Sequence, residues 1–291
     1  MKVFITGITG TLGTAIAKLH TARGDEVSGC SRNEERASRW IAENPDVDLS
    51  IADAVEAVDQ LSRVGVQIRK ADVCYHCAAM KHVDLCEANP MEAVKQNVTL
   101  TSVLAYVCAA VGVQFRFISS DKACLPQGVY GASKLIGERI VLGAGGGVFR
   151  LGNLIGSSGS VFQKWRELVK AGKSITVTDP EMTRYFISVD AAAEYVTTLS
   201  PIGRVFVPVM KSACMGDIAR ALTGSIEVSG PRPGETKYQW ISEPGRAAWP
   251  TVDHKSFVLD RGDVLGGGLC SVDAKRWDTQ ELLEVAQCVQ S

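Results

Sequence analysis

KVFITGITGTLG, residues 2–13, is a short β-branched and aromatic run that meets a glycine turn. KVFIT reads as a strand, and Leu12, Ile16 and Leu19 then recur at helical spacing up to Gly24. Between strand and helix, Gly7 permits a tight turn, Gly10 lets the backbone approach a pyrophosphate, and Gly13 allows close helix packing. Thr9, Thr11 and Leu12 complete the turn, and the helix N-terminus offers amide donors to an anion. A glycine triplet alone is weak evidence; between a first strand and a first helix it predicts dinucleotide binding.

The same alternation continues through the first 120 residues. A strand at 26–30 is followed by a polar helix at 34–43, a weak strand at 47–51 and a helix at 54–63. The apolar runs 72–78 and 114–119 are too short for helices and read as central strands, with a helix from 91 to about 111 between them. Such order implies parallel strands with right-handed crossovers, an α/β fold of Rossmann type with ligands at the strands' carboxyl ends. After Arg150 the rhythm degrades: GNLIGSSGS (152–160) reads as a loop, helices follow at 161–171 and 190–199, and GGG at 266–268 is flexible. Residues 1–150 plus about 186–210 are expected to form a dinucleotide-binding Rossmann domain, and about 151–185 with 211–291 a smaller substrate-binding cap.

Composition removes other classes. The chain has 291 residues, 46% of them hydrophobic, with 31 basic against 32 acidic side chains and a net charge of −1. That is too apolar for disorder, and its scattered charge leaves no footprint for nucleic acid or an anionic membrane. The longest uninterrupted apolar-plus-glycine stretch is 103–113, short of the roughly 20 residues of a membrane span. With no signal-peptide pattern at the N-terminus, the expectation is a cytoplasmic protein. Nine cysteines, an odd number without framework spacing, fit reduced thiols, and Cys74 and Cys77 lack the second close pair a zinc site needs, so no metal is expected.

The second strand ends in CSRN, where an enzyme selecting NAD would place an acid on the ribose 2′-hydroxyl. Ser31 and Arg32 suit a 2′-phosphate instead, so NADP is expected over NAD. Asp53 either accepts from the adenine or caps the following helix. Tyr130 and Lys134, in YGASK, share one helix face; a cation beside a phenol lowers its pKa and makes tyrosine a usable base. Ser120, ten residues upstream, can bond the same substrate hydroxyl.

At these motifs the chain resembles the extended short-chain dehydrogenase/reductases, and more narrowly the inverting UDP-N-acetylglucosamine 4,6-dehydratases of polysaccharide biosynthesis. The similarity is carried by TGITGTLG, by AAMKHVDLCEANPMEAVKQNV (78–98), by SSDKA with YGASK, by FRLGNLIGSSGSV (149–161), and by TDPEMTRYFIS with RPGE. It implies a UDP-sugar substrate, with Tyr130 taking the proton of the 4-hydroxyl as hydride passes to the nicotinamide and Lys134 supporting the phenolate. Lys122, desolvated, is then the base at carbon 5, and Asp121 gives a proton to the departing 6-hydroxyl, yielding a 4-keto-6-deoxy-L-arabino-hexulose. Ala78, Ala79 and Lys81 are placed at the cofactor; Lys81, His82, Asn153, Arg184, Arg232 and Glu235 are placed at the sugar nucleotide. Asn97 is expected to tie helix to strand. Relatives commonly read His and an acid where Tyr238 and Gln239 stand, which bears on sugar selectivity. The competing readings are a 4-epimerase or retaining 4,6-dehydratase, and an inactive NADP-binding scaffold or sensor. The resemblance further implies a homo-oligomer, a dimer or higher such as a hexamer, for which the apolar helices at 91–111 and 129–142 offer an interface.

Overall fold

The computed structural model describes residues 1–55, 62–199, 203–223, 225–232, 235–243, 246–250, 256–263 and 269–290. The first half runs β1 (Lys2–Thr6), α1 (Thr11–Ala22), β2 (Glu26–Ser31), α2 (Glu34–Glu43), β3 (Asp48–Ile51), α3 (Arg63–Lys70), β4 (Val73–His76), α4 (Val83–Ala88), α5 (Pro90–Val94), α6 (Leu100–Val111), β5 (Gln114–Ser120), α7 (Val129–Gly143) and β6 (Gly147–Leu151). A π turn, Lys95–Thr99, joins α5 to α6. The second half adds β7 (Asn153–Ile155), α8 (Val161–Lys170), β8 (Ile175–Val177), β9 (Thr183–Ser188), α9 (Val189–Thr198), β10 (Val205–Pro208), β11 (Lys211–Cys214), α10 (Met215–Leu222), β12 (Ile226–Val228), β13 (Arg246–Pro250), β14 (Ser256–Asp263) and α11 (Thr279–Gln290).

Seven parallel strands form the central sheet in the order β3-β2-β1-β4-β5-β6-β10, as the alternating pattern required. Both faces are covered, so alternate residues of one strand enter different cores. Val3 and Ile5 of β1 pack with Ile16 of α1 and Val196 of α9, whereas Phe4 packs with Leu104 of α6 and Val141 of α7. Cys74 belongs to the second of these cores and Cys77 borders the first, so the C-x-x-C thiols face opposite sides of the sheet. The order turns at β1 between β2 and β4, which opens a crevice at the carboxyl ends of these strands.

A separate apolar cluster serves the cap. Phe162 and Trp165 of α8, Phe186 of β9 and Ile218 of α10 form it, with Trp277 stacked on Phe186 at 4.8 Å between ring centres. Sheets β11-β9-β7 and β12-β8 frame this cluster.

Four features differ from the reading of the sequence. Ala54 and Val55 form a turn, residues 56–61 lie outside the described residues, and the helix here is α3, capped by Ser62 Oγ on the Gly65 amide at 2.9 Å. GNLIGSSGS is not all loop, because β7 pairs in parallel with β9. The stretch assigned to the cap also supplies β13 and β14, which extend the central sheet, β14 pairing antiparallel with β10 and β13 antiparallel with β14. Finally, Pro90–Val111 is one helical run of 22 residues, by length and composition long and apolar enough to cross a membrane. In the sequence Thr101 and Ser102 interrupt the apolar run ahead of Val103; in the fold the helix's Leu100, Leu104, Ala105 and Cys108 are buried in the core.

Candidate active site

Two adjoining cavities open at the carboxyl ends of the strands. The first, about 530 Å³, is lined by the glycine turn at 7 and 9–13, by Ser31, Arg32 and Asp53, by Ala78, Ala79 and Lys81, and by Ser120, Tyr130 and Lys134. The second, about 410 Å³, is lined by Arg184, Arg232, Glu235, Tyr238 and Gln239. Lys81, His82, Lys122, Tyr130 and Asn153 line both, so the cavities meet at the residues expected to act on the substrate.

The glycine turn is shaped as a cradle. Gly7 has φ +66°, and a Cβ there would stand 2.9 Å from the Ala78 backbone, so only glycine brings the turn against the end of β4. A Cβ on Gly13 would stand 2.5 Å from the Gly7 carbonyl. No side chain caps α1 at Gly10, which leaves its first-turn amides facing the cavity for a diphosphate. These residues fit a nicotinamide dinucleotide.

At the end of β2, Ser31 Oγ is bonded to Thr9 Oγ1 at 2.9 Å, and Arg32, with its side chain 56% exposed, pairs with Glu92 at 3.2 Å. Arg32 is thus shared with a carboxylate rather than reserved for a phosphate. The sequence reading missed Arg36, one helical turn further on α2, which also lines the cavity and donates to Ser158 Oγ at 3.3 Å. Asp53 Oδ1 accepts from the Val55 amide at 3.0 Å, and its side chain borders the cavity.

The β5 end and the start of α7 carry the reactive groups. Tyr130 is buried and hydrogen-bonded to Ser120, whose Oγ also donates to Asp121 Oδ1 at 2.7 Å. Lys122 Nζ donates to the same oxygen at 3.1 Å and to Asn153 Oδ1 at 3.5 Å. Two expectations are corrected here. Burial pushes the Tyr130 phenol up, the Asp121 charge adds to this, and the Ser120 bond only partly opposes it, so the phenol is not lowered as Lys134 was expected to do. Lys134 itself, enclosed in the core, is lowered to about 8 and donates to the Ile118 carbonyl at 2.9 Å. Nor is Lys122 desolvated: its side chain stays 27% exposed beside the wholly buried Asp121. Asp121 lines neither cavity and meets them through Ser120 and Lys122, and its Oδ2 is buried without a hydrogen-bond partner.

In the second cavity the hydrogen bonds of the Arg184 guanidinium go to the Thr183 and Lys237 carbonyls and the Met182 sulfur, all neutral, which leaves its charge for an anion. Arg232 and Glu235 form a turn in which each backbone amide is bonded to the other residue, at 3.0 Å; Pro233 and Gly234 of RPGE lie outside the described residues. The His82 ring is packed against Gly159, where a Cβ would come within 2.7 Å of it.

A buried relay braces this site. Thr101 donates to the Asn97 carbonyl at 2.7 Å and so accepts from His76 Nε2, which leaves Nδ1 of the neutral ring to accept from Thr6 Oγ1 at 2.7 Å; Thr6 Oγ1 also accepts the Ala78 amide at 3.2 Å. Asn97 in turn binds the Met80 amide at 2.8 Å and Ser133 at 3.0 Å, so it ties the loop after β4 to α7. Burial holds the His76 imidazole down at about 3, against an ordinary 6.5. The unfolded chain therefore binds one more proton between these values, and stability is lost as pH falls through them, by up to about 1.4 kcal/mol per pH unit. Urea unfolding between pH 7 and 5 should show this slope flattened in His76→Gln; an unchanged slope would assign the acid sensitivity to other groups.

The family described as polysaccharide biosynthesis protein matches residues 3–258. Over 260 residues the chain is 32% identical to a UDP-N-acetylglucosamine 4,6-dehydratase (inverting) of Campylobacter jejuni, covering 82% of this chain and 76% of that one. It is 29% identical to a UDP-glucose 4-epimerase of Rickettsia canadensis, over 90% and 84% of the two chains. The crystal structure of Pen from Bacillus thuringiensis superposes with a TM-score of 0.86 at 27% identity, covering 98% of this chain and 97% of that one.

Proposed function

The chain belongs to the polysaccharide biosynthesis protein family, and from that premise we propose that it is an NADP-dependent, 5-inverting UDP-N-acetylglucosamine 4,6-dehydratase, a lyase whose cofactor ends each cycle unchanged. The observation that carries this reading is the position of Lys122, which lines both cavities beside Tyr130 and Ser120. Oxidation at carbon 4 alone, as in an epimerase, needs only the tyrosine; a lysine at the junction supplies a base for a second carbon.

The dinucleotide would be held by the glycine turn, Ser31, Arg36 and Arg32, with no acid at the end of β2 to favour an unphosphorylated ribose. When bound, it takes hydride from carbon 4 and returns it to carbon 6. Tyr130 takes the 4-hydroxyl proton, and Lys134, 3% exposed one helical turn away, supplies the nearby positive charge that offsets the cost of a buried phenolate. With the proton of the Lys122–Asp121 pair resting on Asp121, neutral Lys122 removes the proton at carbon 5, Asp121 gives its proton to the leaving hydroxyl through Ser120, and carbon 5 regains a solvent proton on the opposite face as carbon 6 takes hydride. Arg184 and Arg232 clamp the diphosphate, Glu235 accepts from the uridine ribose, and Asn153 holds the Lys122 head. Met91, Tyr106 and Ile136 leave an exposed apolar face on α5, α6 and α7 for a second copy of the chain, and the cytoplasm supplies the UDP-sugar.

In deuterated buffer, Lys122→Ala should retain oxidation at carbon 4 and lose exchange at carbon 5. Normal exchange in that variant would remove Lys122 from the base role.

A further inference from the structure

Residues 156–159 cross the first cavity as a strap between β7 and α8. Gly156 and Gly159, at φ +80° and +71°, form its two ends, and Gly159 has no room for a side chain against His82. Every polar atom of Ser158, in the middle of the strap, is engaged across the cavity. Its amide donates to Thr11 Oγ1 at 3.1 Å, its hydroxyl meets Thr11 and Arg36 at 3.3 Å, and its carbonyl accepts from Lys81 Nζ at 2.6 Å. These partners come from the first turn of α1, from α2 and from the loop after β4, the three segments that border the nucleotide side of the cavity.

We infer that Ser158 latches the cofactor cavity and is a positioning residue that keeps one dinucleotide bound through the whole cycle. The need for a latch rests on the dehydratase reading: a cofactor that ends unchanged never has to leave, and losing it midway would strand a keto intermediate. Release then requires the strap to swing on its glycine ends and give up the Ser158 bonds.

The protein should be loaded with NADPH, and its release followed by fluorescence after adding excess NADP, with no sugar present. Loss of the two hydroxyl contacts predicts release about tenfold faster in Ser158→Ala, while Ser158→Thr, which keeps the hydroxyl, stays near the wild type. Release from Ser158→Ala within twofold of the wild type would overturn the latch, as would equally fast release from both variants. Because no sugar takes part, these rates stand or fall apart from the dehydratase reading, which fails separately if the wild type eliminates no water.

Discussion

Tyr130→Phe is expected to lower turnover of the UDP-sugar by about 10²- to 10⁴-fold, with binding of cofactor and sugar nucleotide retained. The phenol is buried at the junction of the cavities and bonded to Ser120, so removing one oxygen leaves the packing of the ring with Cys86 and Ala93 in place. Because burial raises this phenol above its ordinary value, the free enzyme holds it protonated at neutral pH, and kcat/KM should still climb on the alkaline side. Lys134, lowered to about 8, bounds that climb from above, since its charge is lost as pH rises through that value. A pH profile of kcat/KM for the wild type, with Tyr130→Phe as baseline, measures both effects. A phenylalanine variant within tenfold of the wild type would show that another group takes the 4-hydroxyl proton.

Glu138→Ala should cost about 3–5 kcal/mol of folding stability, the largest loss expected from one side chain. Arg150 is fully buried, and the Glu138 carboxylate accepts its Nε at 3.0 Å and its terminal nitrogen at 2.7 Å. Burial pulls this guanidinium's pKa down, but Glu138, helped by Glu243, outweighs it and raises the pKa overall. Truncating Glu138 leaves a charge in the core with, among the described residues, Glu243 at 3.4 Å and the Ile241 carbonyl at 2.8 Å. The same carboxylate accepts from Ser119 at 2.6 Å, one residue before Ser120, so the loss should also loosen the β5 end of the site. Glu138→Gln keeps the hydrogen-bonding shape and should cost less. Urea unfolding of the three proteins checks the order; an alanine variant within 1 kcal/mol of the wild type would mean that Glu243 takes over the pairing.

Much of this was legible from residues close together in the chain. The strand, glycine turn and helix at 2–22, and the tyrosine and lysine one helical turn apart, are local patterns whose geometry follows from backbone periodicity. The residues that escaped notice act over long sequence separations. Ser158 reads as one more loop serine until the chain folds it back onto Thr11, and Arg150 finds Glu138 only because β6 lies beside α7. Arg36 reads as one charge on a polar helix, and its cavity-facing side emerges only once α2 packs beside the glycine turn. Burial is equally non-local: the motif places Lys134 one turn from Tyr130, but only the packed core shows that enclosure dominates the titration of both. The helix at 91–111 was legible from its period, while its full apolar length was not, because Thr101 and Ser102 interrupt the apolar run ahead of Val103.

The central claim is that Lys122 and Tyr130 act on neighbouring carbons of one sugar. Incubation of the protein with UDP-N-acetylglucosamine in deuterated buffer, followed by mass and NMR analysis of the product, tests it most directly. The account predicts loss of one water, one deuterium at carbon 5, and ring couplings of the inverted L-arabino configuration. A product of unchanged mass epimerised at carbon 4, or a dehydrated product that keeps the D-configuration at carbon 5, would contradict it.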